Sequence, residues 1–88
     1  MSSTELTVAD RLRKIIVQLL SVEESNSIQD TTRFIEDLNA DSLDMIELVM
    51  DIEDEFDVSI TDEEAEKVET FEQAVAMIEK AIGKQGGR

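Results

Sequence analysis

Ser42, between Asp41 and Leu43, puts a primary hydroxyl at the start of a helix-forming run. Asp41 is a good N-cap type, and Asp44, three residues on, can reach back to complete a capping box. Apolar residues then recur at helical spacing, so a helix begins at or beside Ser42. Free backbone N–H groups and the helix dipole favour an anion at such a terminus, which suits Ser42 to bearing a phosphate ester. Nothing in the sequence activates the hydroxyl for catalysis. The chain has no histidine, which rules out a Ser-His-Asp triad, and no lysine neighbour is evident. Taken alone, Ser42 could be only a residue of the helix cap, and the chain reads as a non-enzyme. Without histidine or cysteine, zinc chemistry is not expected. Asp51, Glu53, Glu55 and Asp57 alternate as calcium-loop ligands do, but Phe56 stands where such a loop requires glycine. No specific metal site is expected, only loose binding of Mg²⁺ or Ca²⁺ by crowded acids.

Asp41-Ser42-Leu43 closely resembles the prosthetic-group site of the acyl carrier proteins, of the free-standing kind that serves bacterial fatty acid synthesis. The resemblance covers residues 34–76. It runs through Asp37-Leu38-Asn39-Ala40-Asp41-Ser42-Leu43-Asp44, Glu47-Leu48-Val49-Met50, Glu53-Asp54-Glu55-Phe56, Ile60-Thr61-Asp62-Glu63-Glu64-Ala65-Glu66-Lys67-Val68 and Ala74-Val75. It implies that a separate phosphopantetheinyl transferase moves 4′-phosphopantetheine from coenzyme A onto Ser42, and that acyl groups ride as thioesters on its distal thiol. A chain without cysteine could then still carry thioesters. Three positions depart from the family: Asn39 and Asp57 replace common glycines and Thr61 a common proline. Asn is the next-best residue for a left-handed backbone, while Asp57 should make its linker stiffer or differently shaped.

The helix over about Ser42–Phe56 carries two apolar stripes. Met45, Leu48, Val49, Ile52 and Phe56 share a narrow sector and form the core face. Leu43, Ile46 and Met50 form a second, centred about 130° away, with Glu47 and Asp54 on one side and Glu53 on the other. If Ile46 and Leu43 turn inward, the second stripe simply closes the bundle. If they stay out, it is a docking surface of apolar anchors in an acidic rim. The family resemblance favours docking, with Leu43, Ile46 and Met50 as apolar contacts and Glu47, Glu53 and Asp54 meeting basic residues of partner enzymes of fatty acid synthesis.

The remaining elements follow from capping and periodicity. Thr7 can cap a first helix, whose stripe is Val8, Leu12, Ile15, Ile16 and Leu19; Arg11, Arg13 and Lys14 read as a solvated face with local salt bridges. Residues 21–40 form a long first loop, with Ser25-Asn26-Ser27 and Asp30-Thr31-Thr32 as turn material. Ile28, Phe34, Ile35 and Leu38 hold it down, and a short helical turn is expected over 34–38. Thr61 and Glu64 box a short helix over 61–68, and Thr70 and Gln73 box a last one, with Phe71, Val75, Ile78 and Ile82 as its core stripe and Gly83 as its C-cap. The fold expected is all-α: a small four-helix bundle of three longer helices and one short one, in a single acyl-carrier domain over residues 1–88. Residues 1–6 and 84–88 are expected as mobile ends. Met45, Leu48, Ile60, Ala65, Phe71 and Val75 either line a shelter for an acyl chain, where methionine can adapt to chains of different length, or form an ordinary packed core in the acyl-free protein.

Composition sets the partners. The chain has 88 residues and a net charge of −14, and residues 41–72 hold fourteen acids against one base, Lys67. Nucleic acid is excluded by repulsion, and basic protein surfaces are expected instead. No apolar run approaches the ~18 residues of a membrane span, residues 1–6 lack a signal-peptide pattern, and the absence of cysteine suits a reducing compartment. A cytoplasmic monomer is expected. Two other readings stand: a specialised carrier for polyketide, lipid A or another secondary acyl pathway, and an acidic helical adaptor without a cofactor, in which Asp41-Ser42-Leu43 is coincidence.

Overall fold

The computed structural model describes residues 7–23 and 27–86, with the side chains of residues 85 and 86 left aside. The elements run α1 (Val8–Leu20), α2 (Ser42–Phe56), α3 (Asp62–Glu66) and α4 (Phe71–Gly86). The expected all-α bundle of three longer helices and one short one is what forms, with no strand among the described residues. Residues 1–6 and most of the Ser25-Asn26-Ser27 turn lie outside the described residues.

Each helix starts where local chemistry satisfies its first N–H groups. Thr7 Oγ1 accepts from the Asp10 N–H (3.1 Å), and full capping boxes form at Asp41/Asp44 and Thr61/Glu64. At α4 the Gln73 N–H donates to Thr70 Oγ1 (3.3 Å) and the Gln73 side chain accepts from the Thr70 N–H (3.1 Å). The ends were less legible. α3 stops at Glu66, two residues before the expected Val68. α4 passes through Gly83, the expected C-cap, and continues to Gly86. Glycine lowers helix propensity but stops a helix only where a left-handed turn is required, and Gly83 has no positive φ. Lys84, expected in a mobile end, is instead helical and pairs with Glu64 (3.6 Å), tying α4 to α3.

The core contains Leu12 and Ile16 of α1, Leu48, Ile52 and Phe56 of α2, and Phe71, Ala74, Ile78 and Ala81 of α4, with Ile28, Phe34, Ala40, Val58 and Ile60 from the connections. α1 packs on α2 and α4, and α2 packs on α4. Ile82, placed on the core stripe by its spacing, is exposed; the small Ala81 and Ala74 take the buried positions and let α4 approach its neighbours. Arg11 and Arg13 do more than decorate a solvated face. Arg11 Nε donates to Glu55 Oε2 (2.9 Å), its Nη2 donates to the Glu55 carbonyl (2.8 Å), and the guanidinium lies 4.4 Å from the Phe56 ring centroid. Arg13 donates to the Ile28 carbonyl (3.2 Å) and lies 4.8 Å from the centroid of Phe71.

The long first loop is held by backbone bonds as well as side chains. Phe34 N–H donates to Glu69 O (3.1 Å), Phe71 N–H to Thr32 O (2.9 Å) and Glu72 N–H to Asp30 O (3.0 Å), around an isolated bridge between Arg33 and Thr70. Residues 34–38 form hydrogen-bonded turns and no helix. Phe34 and Ile28 are fully buried and Leu38 half-buried, as expected. Ile35 points out instead.

Candidate functional site

The turn at residues 33–40 aims the chain into α2. The Asp37 carboxylate accepts from the Arg33 N–H (2.8 Å), and the Ala40 N–H donates to the Phe34 carbonyl (2.9 Å). Asn39 takes a left-handed conformation (φ 60°), the role its type suggested. Anchored Phe34 therefore fixes Ala40, and buried Ala40 fixes the start of α2.

At that start the capping box settles what Ser42 does not do. Asp41 Oδ1 accepts from the Asp44 N–H (2.8 Å), and Asp44 Oδ2 accepts from the Asp41 N–H (3.2 Å). Asp41 is thus the cap, and Ser42, the first helical residue, is exposed with its hydroxyl outside the box. The N–H groups of Ser42 and Leu43 belong to the first turn, where no intrahelical partner exists. Such free N–H groups, at the positive end of the helix dipole, favour an anion placed at this terminus. Residues Asp41, Ser42 and Leu43 thus fit a phosphate ester on Ser42: the hydroxyl is accessible, is not used by the fold, and lies at the helix end that favours an anion.

Beside Ser42 the second stripe of α2 stays open. Leu43 (62% exposed), Ile46 (57%) and Met50 (57%) remain accessible while Leu48, Ile52 and Phe56 are buried. The inward-turning reading of the stripe therefore does not hold. Glu47 and Asp54 are exposed alongside. Glu53 is half-buried, and its carboxylate accepts from the Ile60 N–H (2.8 Å), so it has a structural task in the α2–α3 linker.

The residues expected to shelter an acyl chain are close-packed. Leu48, Ile60 and Phe71 are buried, and Met45, Ala65 and Val75 are half-buried against the same core. A depression of about 180 Å³ opens beside them and shares only Met45; its other walls are Arg33, Phe34, Ile35, Glu36, Val68 and Glu69. Sequence reasoning missed this feature because it treated Ile35 as an anchor of the loop. A second cavity, of about 300 Å³, lies between α1 and α2 and is lined by Ile15, Gln18, Asp51, Asp54 and Glu55. Among the described residues no group of three or more acids is arranged to hold a metal ion, and no helix is long and apolar enough to cross a membrane.

Among the described residues, two titrating groups are shifted. The Glu36 carboxylate, by hydrogen bond and charge, raises the Arg33 guanidinium above its ordinary value. The Thr61 N–H, with Lys84 adding its charge, holds the Glu64 carboxyl below the usual carboxylate value. Both favour the charged form.

The family model described as "Phosphopantetheine attachment site" matches residues 10–78, spanning α1 to α4 and including Ser42.

Proposed function

Because this chain belongs to the phosphopantetheine attachment-site family, we propose that Ser42 is the residue that bears the group and that the chain delivers acyl groups to enzymes of fatty acid synthesis. The family itself fixes the coarser statement. The chain is a carrier of covalently bound 4′-phosphopantetheine, not a catalyst, and its match over residues 10–78 fits a small acyl carrier protein. When bound, the group supplies the terminal thiol on which acyl groups are held as thioesters.

The observation that carries the assignment is the division of labour at the head of α2. Asp41 and Asp44 perform the capping, so the exposed Ser42 hydroxyl is left for chemistry. Leu43, Ile46 and Met50 offer apolar contacts within reach of that site, and Glu47 and Asp54 supply an acidic rim. Such a surface suits weak, fast docking on basic patches, steered by charge and released easily. The core between α2, α3 and α4, with Met45, Leu48, Ile60, Ala65, Phe71 and Val75, is the proposed shelter for the acyl chain; it would open by shifting α3, which has no buried residue of its own. The acidic α2 favours the fatty acid pathway over a specialised one, in a cytoplasmic setting.

The test is an intact mass before and after incubation with coenzyme A and a broad-specificity phosphopantetheinyl transferase. One phosphopantetheine increment is expected on the wild type and none on Ser42→Ala, whose melt should be unchanged within about 0.5 kcal/mol because the side chain is exposed. An increment that persists on Ser42→Ala would move the attachment elsewhere.

A further inference from the structure

We propose that Met50 is a reversible oxidation site: a peroxide converts its thioether to the sulfoxide, and the carrier then docks more weakly on its partner enzymes until the sulfoxide is reduced. The proposal rests on the reading of Ser42 as the carrier serine and of α2 as the docking face.

The chain has four methionines and no cysteine, so before any group is attached the thioethers are the only sulfur that a peroxide can meet. They differ in access. Met45 and Met77 are half-buried against the core, and Met1 lies outside the described residues. Met50 is 57% exposed, on the open stripe of α2 with Leu43 and Ile46. Leu43 and Ile46 are hydrocarbons with nothing to oxidise. The redox chemistry of the stripe therefore falls on one atom, the Met50 Sδ.

Position makes that atom matter. At about 100° per residue, Met50 leaves α2 between the directions of Leu43 and Ile46, in the middle of the stripe's width. Ile46 and Glu47 stand one turn before it on the helix surface, and Glu53 and Asp54 one turn after. In the oxidation, a lone pair on Sδ attacks one peroxide oxygen. The O–O bond breaks, the S–O bond forms, and an alcohol leaves, or water when the oxidant is hydrogen peroxide. Sulfur loses two electrons and the peroxide gains them. No charge is added, but a flexible apolar contact becomes a polar one. Its neighbours on α2 are carboxylates, which accept hydrogen bonds and do not donate them, and Glu53 is already taken by the Ile60 N–H. In the free carrier the new oxygen faces water, so the fold is untouched. A partner that covers the stripe with apolar surface buries an acceptor without a donor, which weakens the contact.

The test uses the full chain before attachment, hydrogen peroxide that is removed before assay, and the phosphopantetheinyl transferase as the partner. Peptide mass mapping over a peroxide titration should find the added oxygen on Met50 before Met45 or Met77. At that dose the KM for the carrier should rise about three- to tenfold at unchanged kcat, the range expected for one unsatisfied polar group. The thermal midpoint should hold, and methionine sulfoxide reductases should restore the KM. Met50→Leu, compared with its own untreated KM, should not respond to peroxide. Oxidation of Met45 or Met77 ahead of Met50 overturns the proposal. So does a KM within about twofold of the untreated value once Met50 is oxidised, or an equal response from Met50→Leu. Two controls separate the readings beneath it. Ile46→Ala should raise the KM without peroxide, and if it does not, the docking face itself falls and the proposal with it. Untreated wild type that takes no increment sinks the carrier reading, an outcome distinct from a failure at Met50.

Discussion

Among the described residues, three outside glycine adopt left-handed backbone, Ser21 (φ 57°), Asn39 (φ 60°) and Asp57 (φ 56°), and they are not equally suited to it. Asn tolerates that region best. Asp57 carries an added burden, because it caps the C-terminus of α2, where the dipole is negative, one residue beyond the run Glu53, Asp54 and Glu55. Glycine at position 57 would relieve both backbone strain and charge, against the unfolded-state entropy that glycine brings. Asp57→Gly is expected to stabilise the fold by about 0.5–1 kcal/mol, whereas Asn39→Gly should be close to neutral, as read from urea melts of the two variants. Equal effects would show that the helix-end charge contributes nothing. At this scale much was legible in the sequence. Capping boxes and Asn39 are local, and residues three apart settle them. Ser21 escaped because serine carries no mark of a left-handed position, and Ile35 because hydrophobicity alone does not say which way a loop side chain points.

The helices meet through contacts that sequence spacing does not show. The last turn of α2 has no basic residue of its own, and Arg11 of α1 supplies one from 44 positions away in the chain, donating to both the carboxylate and the carbonyl of Glu55 while covering Phe56. Arg11→Ala should cost about 1–2 kcal/mol, more than an exposed ion pair alone, because a carbonyl bond at the negative helix end and a ring contact are lost with it. Arg11→Lys should recover only part, since an ammonium lacks the planar fork. A chemical melt of both variants measures this, and a loss no greater than that of Arg13→Lys would refute the end-capping role. α3 offers a pH test. Its Glu64 carboxyl is lowered by the Thr61 N–H bond and by Lys84. A depressed folded-state value means that the unfolded chain binds the proton more readily, so this contribution is present above the unfolded value and lost as pH falls through the folded one. An NMR titration should place the Glu64 midpoint below that of an ordinary glutamate, and Lys84→Ala should move it upward; a midpoint that stays put removes the α3–α4 tie. Helix starts were readable at this scale. Helix ends were not, since α4 is extended past Gly83 by helical continuation and by the Lys84 pair rather than by any local signal.

Over the whole molecule one property acts in two directions. Residues 41–72 hold fourteen acids and a single base, and they include all of α2 and α3. That concentration was plain from the sequence, as was the all-helical fold. The position of the open space was not: the six residues read as either a shelter or a packed core are packed, and the depression lies beside them. The same acids that draw a basic partner repel one another within the fold. Salt should therefore stabilise the chain while weakening its docking. Raising ionic strength from about 10 to about 200 mM shortens the screening length from roughly 30 Å to under 10 Å. The melting midpoint should rise by several degrees, since about 1 kcal/mol of relieved repulsion moves it by roughly 4–8 °C in a domain of this size. Over the same interval the KM of the transferase for the carrier should increase. Glu47→Gln combined with Asp54→Asn should flatten that increase, by removing rim charges that salt would otherwise screen, whereas Ile46→Ala should shift the whole curve upward and leave its slope unchanged. If the charge variants and Ile46→Ala gave the same salt dependence, the acidic rim would have no part in docking. If the midpoint did not move with salt, the fold would have balanced its −14 charges through contacts such as the Arg11 and Lys84 pairs, and the acidic face could be changed at no cost to stability.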